Sequence, residues 1–527
     1  MTQRRVEEIE LQDPDLGHSQ AAVAEIERRA TIPPDSEGRI RSGRLAGLSM
    51  WQAIFVLSWP VLIEAFLNAC VGLVDTTLAA GLSEAATDAI GVAAYFNWFV
   101  SLIAMSLGVG ATAMISRAMG RGRVAVANAA LGQTMLLGLV LGILACIAIT
   151  FAAPLIATVL RLEGDAVPYA ITYLRIAAVG IPGVTVLFAG IACCRGAGDA
   201  FRPMLTMIAV NIINIGLSFA LAGVDIARST LGPDGEVVND VILANPFPWE
   251  MGIEGIAIGT LVAWLAGGVI MLGILIRGTH GLRLMRRRLK PHLHTMRRLV
   301  KVAAPNFVET FGMWFGNFLT IMMVGGMGAG FYGAHVVAVR VEAFSFLPGF
   351  AMSTAAATLA GQYLGAGSVR LARLAVIRCT MIAAAIMSVF GVAFLTIPDE
   401  IVGVFSQQPT HLEHTPQLLM VCGMIQIPFA IAIVVRGALR GAGDTYTVMI
   451  LTWTSTYAIR LPLAWLFSGI QIPLWGDLVL PNPAPLQTHF DIHPLTGLWC
   501  GLCGELGIRF CLFLGRFIHG GWTRRKV

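Results

Sequence analysis

The residues best placed to do chemistry are polar ones in apolar surroundings. Glu64, Asn68 and Asp75 stand in a mostly apolar stretch spanning 51–81. At about 100° per residue, positions eleven apart in a helix return to nearly the same face, with position 68 falling between them. The three side chains therefore form a polar stripe. A carboxylate near the bilayer centre costs at least ~3 kcal/mol on insertion scales, so such residues face a bundle interior or a wet cavity and mark an ion or substrate route. Burial also opposes ionisation, and Glu64 or Asp75 is expected to exchange a proton near neutral pH. Two plainer roles stay open: Asp75 as a hydrogen-bonded acid near its helix end, and Glu64 as partner of a carbonyl left free by Pro60.

A stripe of this kind needs a membrane helix to carry it. The stretch 51–81 is long enough to cross the ~30 Å hydrocarbon core at a tilt. Composition agrees: 56% of the 527 residues are hydrophobic and only 13% charged, with mean hydropathy +0.75, which excludes a large soluble protein. Further apolar segments recur near 88–116, 127–158, 168–194, 203–223, 253–276, 299–325, 331–360, 371–397, 415–439, 447–468 and 495–518, making twelve expected spans. Nine cysteines all lie in or beside apolar runs, so no disulfide framework is indicated, and Cys500 with Cys503 reads as core packing.

Charge then orients the spans. Arg117, Arg121 and Arg123, Arg195 and Arg202, the run from Arg283 to Lys301, Arg370 and Arg373, Arg440, and Arg524 to Lys526 fall on one side. Acidic loops, including 225–250 and 477–491, fall on the other. The positive-inside rule places both termini and the linker in the cytoplasm. A polar tail over 1–49, with charges of alternating sign, is expected to be disordered. The remaining divisions are an N-terminal lobe at 50–277, a basic linker at 278–298, a C-terminal lobe at 299–518 and a basic tail at 519–527.

One constant offset of 245 residues organises the whole chain. It carries Pro60 and Glu64 onto Pro305 and Glu309, Gly120-Arg-Gly122 onto Gly365-Ala-Gly367, and Arg195-Gly-Ala-Gly-Asp199 onto Arg440-Gly-Ala-Gly-Asp444. It also matches Gly252 with Gly497 and Gly259 with Gly504. Six helices per half is an even number, so the halves share one orientation, a parallel repeat about an axis along the membrane normal. That all-α architecture suits alternating access to a cavity between two six-helix bundles. The paired RGAGD segments read as turns in which Arg and Asp pair or meet headgroups, a structural role.

At these positions the chain resembles the multidrug and toxic compound extrusion (MATE) transporters. The likeness rests on Pro60 with Val74, Asp75 and Thr76, on Ala303, Pro305 and Glu309, on Gly361-Gln362 with Leu364 to Gly367, and on the two RGAGD turns. It implies a V-shaped pair of bundles that exports organic, often cationic compounds in exchange for protons or sodium ions. It also implies a multi-pass protein of a bacterial inner membrane, acting as a monomer with no cofactor beyond the coupling ion.

The resemblance assigns residues as well. Asp75 matches the acidic coupling residue of the first helix and a possible sodium ligand, with Asn214 as partner, Ser218 one turn on, and Asn211 as the neighbouring alternative. Glu309 matches the seventh-helix acid in a substrate- and cation-binding role; Glu64 and Asn68 face the same route. The tenth helix has Phe429 where one branch of the family has an aspartate, so a sodium site in the C-terminal lobe is not expected; Asp75 matches Thr320 in the repeat, and Thr320 is expected among the substrate-binding residues. Met313 and Trp314 read either as an adaptable wall for varied ligands or as lipid-facing residues. Glu505 and Arg509, at i and i+4, read as a structural pair, and Arg460 as lobe packing.

Two other functions compete. A lipid-linked saccharide flippase of the same superfamily would line its cavity with cationic residues, for which Arg460 is the one candidate in view. An embedded enzyme has no HExxH, GxSxG or clustered His/Asp to support it.

Overall fold

Inside a bilayer the backbone has no water to bond, so each span must satisfy its own amides, and helices do this residue by residue. The computed structural model describes residue 40 and residues 42–525, apart from 160–163, 232–236, 329, 407 and 474–478. The first six long helices are α1 (Met50–Leu82), α2 (Glu84–Gly120), α3 (Val124–Val159), α4 (Ala166–Gly196), α5 (Phe201–Ala222) and α6 (Gly252–Arg277). A basic 3₁₀ turn at Arg286–Leu289 leads to α7 (Leu293–Gly325), α8 (Phe331–Gly365) and α9 (Val369–Thr396). Then come short α10 (Pro398–Phe405), α11 (Pro409–Met424), α12 (Gln426–Gly441), α13 (Thr445–Trp453), α14 (Leu461–Ser468), short α15 (Leu486–Phe490) and α16 (Pro494–His519).

Ten of these helices are long and apolar enough to span, and α11 with α12, bent by 61°, makes an eleventh. Pro428, near the start of α12, cannot donate to the carbonyl four residues back, which accounts for the break. The remaining expected span, near 447–468, runs from Thr445 to Ser468, interrupted by a π-helical turn at Thr454–Arg460 that leaves each α piece short. Lipid-facing surfaces are apolar, as on α3, where Phe151 is 81% exposed. The acidic loops hold what their charge did not suggest: β1 (Ile226–Leu231) pairs antiparallel with β2 (Val237–Leu243), and β3 (Ile472–Pro473) with β4 (Val479–Leu480).

The halves repeat one another and exchange contacts across the pseudo-twofold axis. Ala53, Ile54, Leu57 and Val61 at the start of α1 join a core cluster with α8, α9 and α12, while Leu299 at the start of α7 is buried among α2, α3, α4 and α6. Between them, α2 meets α8 through repeat-matched small residues. A Cβ on Gly120 would fall 1.9 Å from the Gln362 carbonyl oxygen, and one on Gly365 would fall 2.3 Å from that of Arg117. Gln362 also donates to the Gly196 carbonyl (3.0 Å), and Thr358 to that of Arg195 (3.2 Å). The lobes are thus closed at the end that carries the basic loops.

Both ends of the described chain are docked at this same end. Residues 1–39 of the expected tail lie outside the described residues, but Arg44 reaches Asp199 at 3.1 Å and Ser42 donates to the Met119 carbonyl at 2.7 Å. At the other terminus Trp522 is buried and Arg525 reaches Asp444 at 2.8 Å. The two aspartates of the RGAGD turns therefore anchor the two ends of the chain. Arg202 adds to Asp199 at 3.1 Å, and Arg516 to Asp444 at 2.7 Å.

Candidate functional site

In the N-terminal lobe, α1, α2, α4, α5 and α6 surround a cavity of about 170 Å³. Asn68 and Asp75 reach it from α1, Asn211 and Asn214 from α5, Tyr173 from α4 and Thr260 from α6. Seven residues separate Asn68 from Asp75 and three separate Asn211 from Asn214, so each pair lies on one helical face. Asn214 Nδ2 donates to Thr260 Oγ1 at 3.1 Å.

What distinguishes the cavity is unused hydrogen-bonding capacity. Asp75 Oδ1, Asn214 Oδ1 and Asn211 Nδ2 are all buried and without partners. Buried polar atoms are nearly always paired, and leaving one unpaired costs about 1–3 kcal/mol. Two acceptor oxygens and one amide donor turned into the same space suit a small guest: a proton on the carboxylate, or a cation held by oxygens. Among the described residues no cluster of three or more His, Cys, Asp or Glu exists, so one carboxylate and neutral groups make up the whole donor set.

Ser218 departs from its expected place. It lies outside the cavity, fully buried between α5 and α6, with its hydroxyl 3.5 Å from the Ile256 carbonyl. Gly259 explains the packing: a Cβ there would sit 2.4 Å from Ser218 Oγ, so the glycine lets α6 come close enough to present Thr260 one residue on. Glu64 also leaves the stripe. It is buried and accepts a hydrogen bond from Arg195 of α4 at 2.5 Å, where the sequence also allows it to serve a carbonyl freed by Pro60.

The C-terminal lobe repeats that ion pair and then adds to it. Glu309 lies 2.8 Å from Arg440, at the positions matching Glu64 and Arg195. Arg436 donates from Nε at 2.8 Å and Thr452 from its hydroxyl at 2.7 Å, so the carboxylate is fully enclosed. The expectation of a free negative charge for substrate at Glu309 is corrected: two guanidiniums neutralise it. Thr320, where the repeat would place a second Asp75, turns its hydroxyl back to the Gly316 carbonyl at 3.1 Å. Met313 sets its sulfur 3.6 Å from Arg436 and 3.9 Å from Arg509, and Trp314 is half-buried beside it.

A second ion network completes this lobe. Glu505 accepts from Arg509 at 2.7 Å, the expected i,i+4 pair, from Arg460 at 3.1 Å and from the Ser455 hydroxyl. Arg509 also reaches Thr456, and Arg460 reaches Asn317 at 2.5 Å. The π-helical turn places Ser455, Thr456 and Arg460 toward α16, as such turns do at specialised sites. Arg436, Thr452, Tyr173 and Thr260 are the contributors the sequence did not single out. Arg436 had a signal, an arginine within an apolar span four residues before Arg440; the hydroxyls had none.

A model of the MatE family matches residues 60–220 and 305–466, one segment in each lobe. The chain belongs to the MatE family. A probable multidrug resistance protein NorM of Thermotoga maritima is 27% identical over 89% of this chain and 93% of its own length. The multidrug resistance protein PmpM of Pseudomonas aeruginosa is 22% identical over 81% of this chain and 87% of its own. Among solved structures, a MATE protein in a bent conformation superposes with TM-score 0.76 at 20% identity, covering 90% of this chain and 96% of that one. A MOP superfamily transporter from Pyrococcus furiosus, described as having a binding pocket of reverse polarity, gives TM-score 0.76 at 20% identity over 91% and 98%. This MatE protein thus shares the fold of those transporters along nearly its whole length, as a multi-pass membrane protein.

Proposed function

We propose that this MatE protein is a secondary active multidrug exporter that moves hydrophobic organic compounds outward in exchange for protons or sodium ions by alternating access. The observation that carries the reading is the set of unpartnered buried atoms of Asp75, Asn211 and Asn214 around one cavity. The names of the relatives support the substrate class. A cation entering at Asp75 satisfies those atoms and favours the conformation in which the lobes stay closed at the basic end; substrate arriving from the cytoplasm favours the reverse. Exchange requires each ligand to bind the two conformations unequally, since equal binding shifts nothing. The protein acts as a monomer in a bacterial inner membrane, both termini in the cytoplasm.

One observation favours a second reading. Arg436, Arg440, Arg460 and Arg509 outnumber Glu309 and Glu505 in the C-terminal lobe, a surplus of positive charge that suits an anionic or lipid-linked substrate better than a cationic one. Proteoliposomes separate the two. Gradient-driven uptake of a fluorescent organic cation, under a proton or a sodium gradient, supports the exporter and names its ion. Uptake of organic anions alone, with cations excluded under both gradients, supports the second reading.

A further inference from the structure

Beyond the transport route, the end of α6 forms a second pocket. It occupies about 400 Å³ and is lined by Arg277, Thr279, His280 and Arg283, with Asn128 of α3 and Met285 at its edges. The loop is tightly built. Thr279 and Leu282 exchange backbone hydrogen bonds at 2.7 Å, and the turn passes through left-handed conformations at His280 (φ 45°) and Gly281 (φ 93°). Asn128 clamps it, accepting from the Arg283 amide at 2.8 Å and donating to the Gly281 carbonyl at 3.4 Å.

Three features call for an anion here. Arg277 and Arg283 have no carboxylate partner among the described residues; Arg283 donates from Nε to the Ile276 carbonyl at 3.1 Å, and Asp199 is engaged by Arg44 and Arg202. Thr279 is only 3% exposed, lines the pocket, and its hydroxyl has no hydrogen-bond partner. From Arg277 to Lys301 the chain carries nine arginines and lysines and no acid. A fourth feature selects the kind of anion. The pocket opens where a membrane span ends, with exposed apolar side chains at Met285 in its lining and at Ile276, next to Arg277, which suit acyl chains and not water.

We propose that this pocket binds the phosphate headgroup of an anionic phospholipid from the adjoining leaflet. Arg277 and Arg283 meet the phosphate oxygens as charge-assisted donors, and the Thr279 hydroxyl supplies a third bond. His280, held below its ordinary pKa by desolvation first and by Arg202 and Arg44 besides, offers a neutral imidazole that can donate. The glycerol and acyl chains then lie along Ile276 and Met285. The bound lipid would brace the linker between the lobes, since the same linker is fastened to α3 by Gln133, which bonds the carbonyls of Arg288 (2.9 Å) and Lys290 (2.8 Å).

Native mass spectrometry of the full-length protein tests this, using phosphatidylglycerol and phosphatidylcholine with identical acyl chains as probes. Wild type is expected to retain phosphatidylglycerol selectively. Arg277→Gln with Arg283→Gln should weaken that retention roughly tenfold or more, since both charge-assisted bonds to the phosphate are lost. Arg286→Gln with Arg287→Gln, equal in charge lost but outside the pocket, should change it less than about twofold. Thr279→Val, which removes the hydroxyl without touching charge, should weaken retention a few-fold and keeps the test alive if the arginine variant fails to fold. Equal loss in both arginine variants, equal retention of the two lipids, or displacement by soluble glycerol phosphate at matching concentration would overturn the proposal.

Discussion

The two lobes carry the same ion pair and use it for different ends. Glu64 with Arg195 and Glu309 with Arg440 stand at matched positions of the repeat. Beside the first pair the N-terminal lobe keeps another carboxylate, Asp75, whose buried Oδ1 has no hydrogen-bond partner. Beside the second the C-terminal lobe adds Arg436 and Thr452 and has Thr320 where Asp75 would be. The difference teaches that a membrane carboxylate is not functional by its presence alone. Its unmet partners are what make it available to an ion. On this view the C-terminal lobe's matched carboxylate is already satisfied by its own arginines, and the N-terminal lobe leaves a carboxylate for a guest to complete.

The comparison can be broken at four points. Glu309→Gln should have the largest effect on stability, because Arg436 and Arg440 would lose a shared buried partner; removing one side of such a pair costs about 3–5 kcal/mol. Unfolding in detergent measures this, and removing Arg436 as well should recover part of the loss. Next is Gly120→Ala, whose Cβ would press on the Gln362 carbonyl where the lobes meet. Overpacking costs about 1–3 kcal/mol, charged here to the closed state alone, so distance measurements between labelled lobes should show the population opening at the basic end. Arg525→Ala should cost about 1 kcal/mol or less: the arginine is half exposed, and Arg516 still holds Asp444. Asp75→Asn should change stability least, or raise it slightly, since no partner is orphaned.

The sequence made much of this legible for one physical reason: the bilayer imposes long apolar helices, and a duplicated half repeats its special residues at one offset. Asn68, Asp75, Asn211 and Asn214 reach one cavity because polar residues in lipid have few other places to go. Ser218 could not be placed, since facing α6 or facing the cavity depends on how close Gly259 lets the helices come. Thr260 and Tyr173 carry no charge to draw notice. Glu309 is the instructive case. The offset matches it with Glu64 and Arg440 with Arg195, but Arg440 reads from the sequence as a turn residue pairing with Asp or headgroups, and the neutralising geometry depends on how α12 and α13 cross α7 and on Arg436 aiming the same way. Nothing in residue spacing announces the π-helical turn at Thr454–Arg460 or the hairpins within the acidic loops.

The central claim is that the ion couples at Asp75 and not at Glu309. The direct test is transport by proteoliposomes under proton and sodium gradients, comparing wild type with Asp75→Asn and with Glu309→Gln at matched amounts of folded protein. The account predicts that Asp75→Asn binds substrate but loses gradient-driven transport by about 100-fold, while folded Glu309→Gln keeps its response to the same ion. Undiminished gradient-driven transport by Asp75→Asn, with the ion response lost in Glu309→Gln, would contradict it.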